Sequence, residues 1–245
     1  MKAVKVGSDR TFGVGSDSTF ARRLPHPERV EKSSLTLLSE RVEKSSLTLL
    51  STLLSLAAVA AALLLAACGQ GGPSFKGSDV TGSAFGTSLS LTDHDGTPRT
   101  LADYRGKAVV VFFGYVQCPD VCPTTLAALA EAMKALGADA DRVQVLFVTV
   151  DPERDTAELL KQYVPAFDAR FVGLRGDSAA TEKVAKEFRV FFQKVPGATP
   201  ETYTVDHSAG SFLFDPQGRL RVYEGHGQPP EVFAHDLRQL LRAPG

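Results

Sequence analysis

Two nearly continuous apolar runs, AVVVFFG at residues 108–114 and VQVLFVTV at residues 143–150, dominate the middle of the chain. Each is rich in β-branched and aromatic residues, the composition of a strand buried on both faces. Between them Leu126, Leu129, Met133 and Leu136 recur at spacings of three, four and three, the apolar stripe of an amphipathic helix. A buried strand, a helix and a second buried strand in succession predict parallel pairing through a right-handed crossover. The joint between the first strand and the helix reads GYVQCPDVCPTTL and carries two of the three cysteines of the chain.

The flanking segments extend this unit. TSLSLTDHDGTPRTLADYRGK alternates apolar and polar residues around Asp95-Gly96 and predicts an extended pair with a tight turn. TAELLKQYV (156–164) and AATEKVAKEF (179–188) read as helices, the first stopped at Pro165. GSFLF and RLRVY flank DPQG (215–218), a hairpin with good turn chemistry. A last helix starts at Pro229 and Pro230 and places Phe233, Leu237 and Leu240 on one face. The expected order is β-α-β-α-α-β-β-α. The expected class is α/β with a thioredoxin-like fold: a mixed central sheet, helices on both faces, and a C-terminal β-hairpin plus helix covering residues 84–245.

The N-terminal part differs in texture. ERVEKSSLTLLS occurs twice without change, at 28–39 and 40–51. Two copies of a dodecamer are too few for a solenoid, so residues 1–46 read as an unstructured leader with a tandem repeat. Part of that leader could lie upstream of the true start, for instance if translation began at Val42. Residues 47–67 then form an uncharged apolar stretch that follows Arg41 and Lys44 and ends at Cys68. A basic flank, an apolar region and a small-residue end are the marks of a secretory signal. The closing LAAC resembles a bacterial lipobox, which implies cleavage before Cys68 and acylation of its thiol. A plain transmembrane anchor is the alternative, and both place the remainder outside the cytoplasm, at a cell membrane. Residues 68–83 then serve as a lipidated, Gly/Ser-rich flexible tether.

Removing residues 1–67 takes away nine of the 27 basic and six of the 28 acidic side chains, leaving 18 and 22. A net charge of −4 with no basic run excludes an electrostatic nucleic-acid surface. Three cysteines in 245 residues exclude a disulfide-framework protein.

The remaining chemistry centres on Cys118 and Cys122. Pro123 lacks a backbone N–H and belongs in the first turn of its helix, with Asp120 as the expected N-cap. Both thiols then lie near a helix N-terminus, where unpaired N–H groups favour thiolate. A structural disulfide, a redox pair and a metal clamp all fit this spacing, although so small a loop gains little from a staple. Soft thiolates select Cu(I), zinc or iron–sulfur centres, and two cysteines fall short of a cluster or a structural zinc site. Copper can be held by two thiolates and an imidazole. Of the five histidines, His207 stands just before a predicted strand in TVDHSAGSFLF, in a loop that could fold back toward the first helix. An ordinary loop histidine is the other reading of that position.

VVFFGYVQCPDVCPTTL, VTVDPERDT and YTVDHSAGSFLFDPQGRLRVYEG together resemble the Sco/SenC family over residues 84–242. Members are membrane-anchored, thioredoxin-like copper-binding proteins that help to assemble cytochrome c oxidase. The resemblance implies that Cys118, Cys122 and His207 are the copper ligands, for Cu(I), Cu(II) or both. It also implies that the loop of Asp151 lies near the metal end, where Asp151 could orient a ligand or meet a partner. A surface salt bridge or a capping role for Asp151, Arg154 and Asp155 is the plainer alternative. Many relatives carry a histidine just before the first cysteine; this chain has Gln117, which argues against a fourth ligand there.

The function expected on this resemblance is that of a tethered metallochaperone delivering copper to the dinuclear site of cytochrome c oxidase subunit II. An upstream copper donor and a thiol reductant would have to serve it. The rival expectation is a thiol-disulfide reductase using Cys118 and Cys122, acting on oxidase cysteines or in redox defence, for which His207 is dispensable.

Overall fold

The computed structural model of the chain describes residues 51–58, 72–199 and 202–242. The expected leader at 1–46, Cys68, the start of the tether and most of the apolar stretch at 47–67 lie outside the described residues. Residues 51–58 are helical (α1), and among the described residues no helix is long and apolar enough to cross a membrane. The chain from Gly71 onward is a separate unit.

That unit is organised by the two apolar runs. β4 (Ala108–Gly114) and β5 (Val143–Thr149) are buried at every position and pair in parallel from Ala108↔Val143 to Gly114↔Thr149. Helix α2 (Val121–Leu136) makes the crossover, with Pro123 as its third residue and Gly137 (φ +60°) at its C-terminal end. Only a residue free of a Cβ penalty closes a helix comfortably in that conformation.

Around this pair lies an eight-stranded sheet of β1 (Ser78–Asp79), β10 (Leu220–Glu224), β9 (Ser211–Phe214), β4, β5, β6 (Val172–Arg175), β2 (Ser90–Asp93) and β3 (Pro98–Thr100), in that order. β9 (Ser211–Phe214) runs antiparallel to β4, and β10 (Leu220–Glu224) antiparallel to β9, joined by the expected turn at Asp215–Gly218. β2 (Ser90–Asp93) and β3 (Pro98–Thr100) are the extended pair about Asp95-Gly96. Alternation along the strands sends Phe112 and Phe147 to one face and Phe113 to the other. On the first face Phe147 meets Tyr163 of α3 (Ala157–Tyr163), and α2 packs against α5 (Pro230–Arg242). On the second face Phe113, Phe212 and Phe214 surround Phe188, the residue that ends α4 (Ser178–Glu187). Each such phenylalanine, removed wholly from water, contributes on the order of 1.5–3 kcal/mol before entropy is counted. The mixed sheet covered on both faces is the expected thioredoxin-like class.

Three details differ from expectation. A strand, β6 (Val172–Arg175), separates α3 from α4 and continues the parallel row beside β5. A second hairpin, β7 (Phe192–Val195) with β8 (Thr204–His207), pairs with itself outside the main sheet. The tether also ends early. Asp236 of α5 accepts the backbone N–H groups of Lys76 and Gly77, both at 2.9 Å, and β1 (Ser78–Asp79) pairs with β10. A buried carboxylate holding two amides pins a segment whose composition alone reads as flexible.

Candidate metal centre

The dithiol sits where β4 hands the chain to α2. Gly114, the last residue of the strand, makes room for it: a Cβ there would lie 2.8 Å from Cys122 Sγ and 2.8 Å from the Phe147 ring. Cys118 lies in the loop, its N–H bonded to the Tyr115 carbonyl at 3.2 Å. Cys122 is the second residue of α2, and its N–H donates to Cys118 Sγ at 3.3 Å. Both cysteines are free thiols and buried, Cys122 completely. Asp120 stands at the N-cap position without a side-chain cap bond; its carbonyl and carboxylate instead accept from Thr124 Oγ1 at 2.8 and 3.3 Å.

His207 is the last residue of β8, not a loop residue ahead of a strand, and it reaches the dithiol through the β7–β8 hairpin. Phe192 pairs with it in register. Nε2 lies 3.5 Å from Cys122 Sγ, and Nδ1 lies 3.1 Å from the Ser208 carbonyl oxygen. A carbonyl only accepts, so the ring proton belongs on Nδ1 and the Nε2 lone pair faces the sulfurs. The edges of Phe112 and Tyr115 enclose the ring, with centroids at 6.5 and 6.0 Å. Cys118 Sγ, Cys122 Sγ and a ring nitrogen of His207 all lie within 4.8 Å of one another. Among the described residues no other group of three His, Cys, Asp or Glu side chains comes together in this way. Two soft sulfurs and one imidazole in an apolar, half-covered corner match the donor preference of Cu(I) or zinc rather than of a hard cation.

The expectation that both thiols favour thiolate needs correction. The hydrogen bond from Cys122, aided by the backbone N–H groups of Asp120 and Cys122, outweighs burial and lowers Cys118 to about 5. Cys122 moves the other way, because it donates that bond and because it is buried. One proton shared between two close sulfurs stays on the buried one.

The Asp151 loop does lie at this end of the molecule, but Asp151 touches neither sulfur and is fully buried, so it is not a surface salt bridge. Its Oδ2 accepts from Arg154 Nε, and its Oδ1 accepts from the Tyr203 hydroxyl at 2.8 Å. Arg154 Nη1 in turn donates to Gln117 Oε1 at 3.0 Å and to the Tyr203 carbonyl at 2.9 Å. Asp155, also buried, accepts from Val116 N–H at 3.1 Å and Thr149 Oγ1 at 2.6 Å, and burial raises it to about 6. The Arg154–Asp151 ion pair is the plainer expectation, here buried rather than at the surface; the links to Gln117 and Tyr203 have no signal in the sequence beyond the clustered charges of DPERD. The other described histidines are elsewhere: His94 accepts from Gly173 N–H, His235 contacts Asp236, and His226 lines a separate depression with Thr124 and Phe233.

A thioredoxin-like domain with a dithiol at the start of a helix and an imidazole brought over it by a separate hairpin defines a class of domains with a soft-metal Cys-Cys-His site. The chain belongs to the SCO1/SenC family, whose model matches residues 78–242. It is 36% identical over 157 residues to the mitochondrial SCO2 homolog of Mus musculus, covering 63% of this chain and 62% of that protein. Its match spans about three fifths of the length of the mouse, bovine and human SCO2 homologs. Among solved structures it resembles Bradyrhizobium japonicum ScoI with copper bound, at 42% identity and TM-score 0.60, covering 64% of this chain and 99% of that one. It also resembles apo Sco1 of Thermus thermophilus, at 38% identity and TM-score 0.61, covering 68% of this chain and 97% of that one.

Proposed function

We propose that this protein is a membrane-tethered copper metallochaperone that takes copper on Cys118, Cys122 and His207 and passes it to the dinuclear copper site of cytochrome c oxidase subunit II. The observation that carries this reading is the convergence of two sulfurs and the Nε2 lone pair within 4.8 Å. Family membership and the copper-bound state of a 42% identical relative support it. Thiolates exchange between soft sites one ligand at a time, so a carrier with few ligands and one open side can pass its cargo on. The half-buried imidazole at the rim, rather than the buried Cys122, is the ligand suited to leave first. In the same reading Cys68 is acylated after removal of residues 1–67 and anchors the domain on the extracytoplasmic side of the membrane. Asp151 serves the site indirectly, by holding Arg154.

Anaerobic titration of the reduced domain with Cu(I) is the test. One equivalent should bind to wild type, less tightly to His207→Ala, and not measurably to Cys118→Ser/Cys122→Ser. Failure of wild type to bind one equivalent sinks the proposal.

A second reading has its own support. Cys118 is ionised near pH 5 while Cys122 keeps its proton, the division of labour of an attacking and a resolving thiol. Thiol-disulfide reductase activity that survives His207→Ala but not Cys118→Ser would assign that role.

A further inference from the structure

We propose that Arg154 is the positioning residue that closes the His207 hairpin onto the dithiol loop. The two halves of the site are held by different parts of the fold. Cys118 and Cys122 hang from β4 and α2 of the main sheet, whereas His207 rides on a hairpin that pairs only with itself. Aromatic edges touch the imidazole from the dithiol side, but such contacts are weakly directional. Directional ones come from the Tyr115 hydroxyl, which meets the Val205 backbone, from Lys194, 2.6 Å from Glu153, and from Arg154. Its Nη1 bonds Gln117, the residue before Cys118, and also the carbonyl of Tyr203, the residue before β8. Those partners lie 37 residues before it and 49 residues after it. Its guanidinium carbon stands 3.6 Å over the Tyr203 ring and 5.8 Å from the Tyr115 ring, so the plane is stacked as well as bonded. Asp151, wholly buried, fixes the other edge of the guanidinium and accepts the Tyr203 hydroxyl as well. Gln117 is thus the loop-side hook of a clasp.

Opening the hairpin, the motion that would withdraw His207 from the sulfurs, must strip Arg154 from Tyr203. The clasp therefore sets how tightly the third ligand is held. The metal arm of the test rests on the copper reading; the exchange arm does not.

The experiment compares wild type, Arg154→Lys, Gln117→Ala, His207→Ala and the two double variants with His207→Ala. Arg154→Lys keeps a cation against buried Asp151 but loses the planar fork, and Gln117→Ala leaves the Asp151–Arg154 pair whole, so both should fold. In metal-free protein, amide hydrogen exchange at residues 204–207 should quicken in both variants, while β4 and β5 remain protected. Cu(I) affinity should fall on the order of tenfold in Arg154→Lys, the scale found for groups that orient metal ligands. In the His207→Ala background the same change should cost less than about twofold. Equal losses in both backgrounds, or unchanged exchange at 204–207, overturn the clasp. Wild type that binds no Cu(I) overturns the copper reading and leaves the exchange result to decide on Arg154.

Discussion

His207 Nε2 stands 3.5 Å from Cys122 Sγ across 85 residues of chain, and the Ser208 carbonyl holds the opposite ring nitrogen. The imidazole is therefore preset as the Nδ1–H tautomer before any metal arrives. Nitrogen-15 spectra of the metal-free, reduced domain near pH 8 should show that tautomer for His207. Addition of Cu(I) should move the Nε2 resonance far more than the Nδ1 one; the reverse pattern contradicts the geometry.

The two thiols should differ sharply toward alkylating agents. Cys118 is ionised above about pH 5 and retains a little exposure, whereas Cys122 is buried and keeps its proton. Peptide mapping after brief iodoacetamide treatment at pH 7 should find label on Cys118 in large excess. In Cys118→Ser the neighbour that raises Cys122 most is gone, so the Cys122 titration should move down toward the ordinary thiol range.

The two thiols should together release about one proton near pH 7 on copper loading, since Cys118 is already ionised and Cys122 must give up its proton. Calorimetry in buffers of different ionisation enthalpy measures that number directly. Release of two protons would mean that the thiols share no proton in the unloaded state.

Gly114→Ala should damage the site from below. The new methyl group would stand 2.8 Å from Cys122 Sγ and from the Phe147 ring, closer than Cβ atoms tolerate. Overpacking of this kind costs about 1–3 kcal/mol. Denaturant melts should show that loss, together with weaker Cu(I) binding from the displaced sulfur. An unchanged melting midpoint would contradict the packing.

Stability should fall as pH rises through neutrality because of Glu224. Burial, and then the adjacent Asp236 carboxylate, raises Glu224 from 4.5 to about 8. The folded state therefore binds this proton more tightly than the unfolded chain. Its stabilisation is complete below about pH 4.5 and is lost by about pH 8. Asp155, raised to about 6 by burial, adds a slope of the same sign at lower pH. Asp236 acts oppositely only in acid, where bonds from Gly77, His235 and Lys76 outweigh burial and lower it. Glu224→Gln should stabilise the domain at pH 8 and flatten the profile between pH 5 and 8. A profile unchanged by the substitution would place the slope elsewhere.

The parts of the fold legible in the sequence are those where burial on both faces writes a long apolar word. AVVVFFG and VQVLFVTV are such words, and the stripes of α2 and α5 are their helical counterparts. β6 has four residues, VGLR, and a glycine against Leu160 and Val164, too short to stand out between two helices. β7 and β8 read FQKV and TVDH, with Val205 the one buried residue among the eight, so no periodicity marks them. The cysteines were legible because Pro123 sets the helix start. The approach of His207 is legible only as a loop that could fold back and through the family resemblance, and the Arg154 clasp not at all, since both depend on distant segments meeting in space.

The β7–β8 hairpin is an appendage to the main sheet, and it alone brings the imidazole. Grafting residues 192–207 onto a redox domain with a helix-start dithiol would add the nitrogen donor only if Gln117, Asp151 and Arg154 came with them. Deleting the hairpin would leave a bare dithiol. The nitrogen donor and the two sulfur donors thus sit on separately paired pieces of backbone.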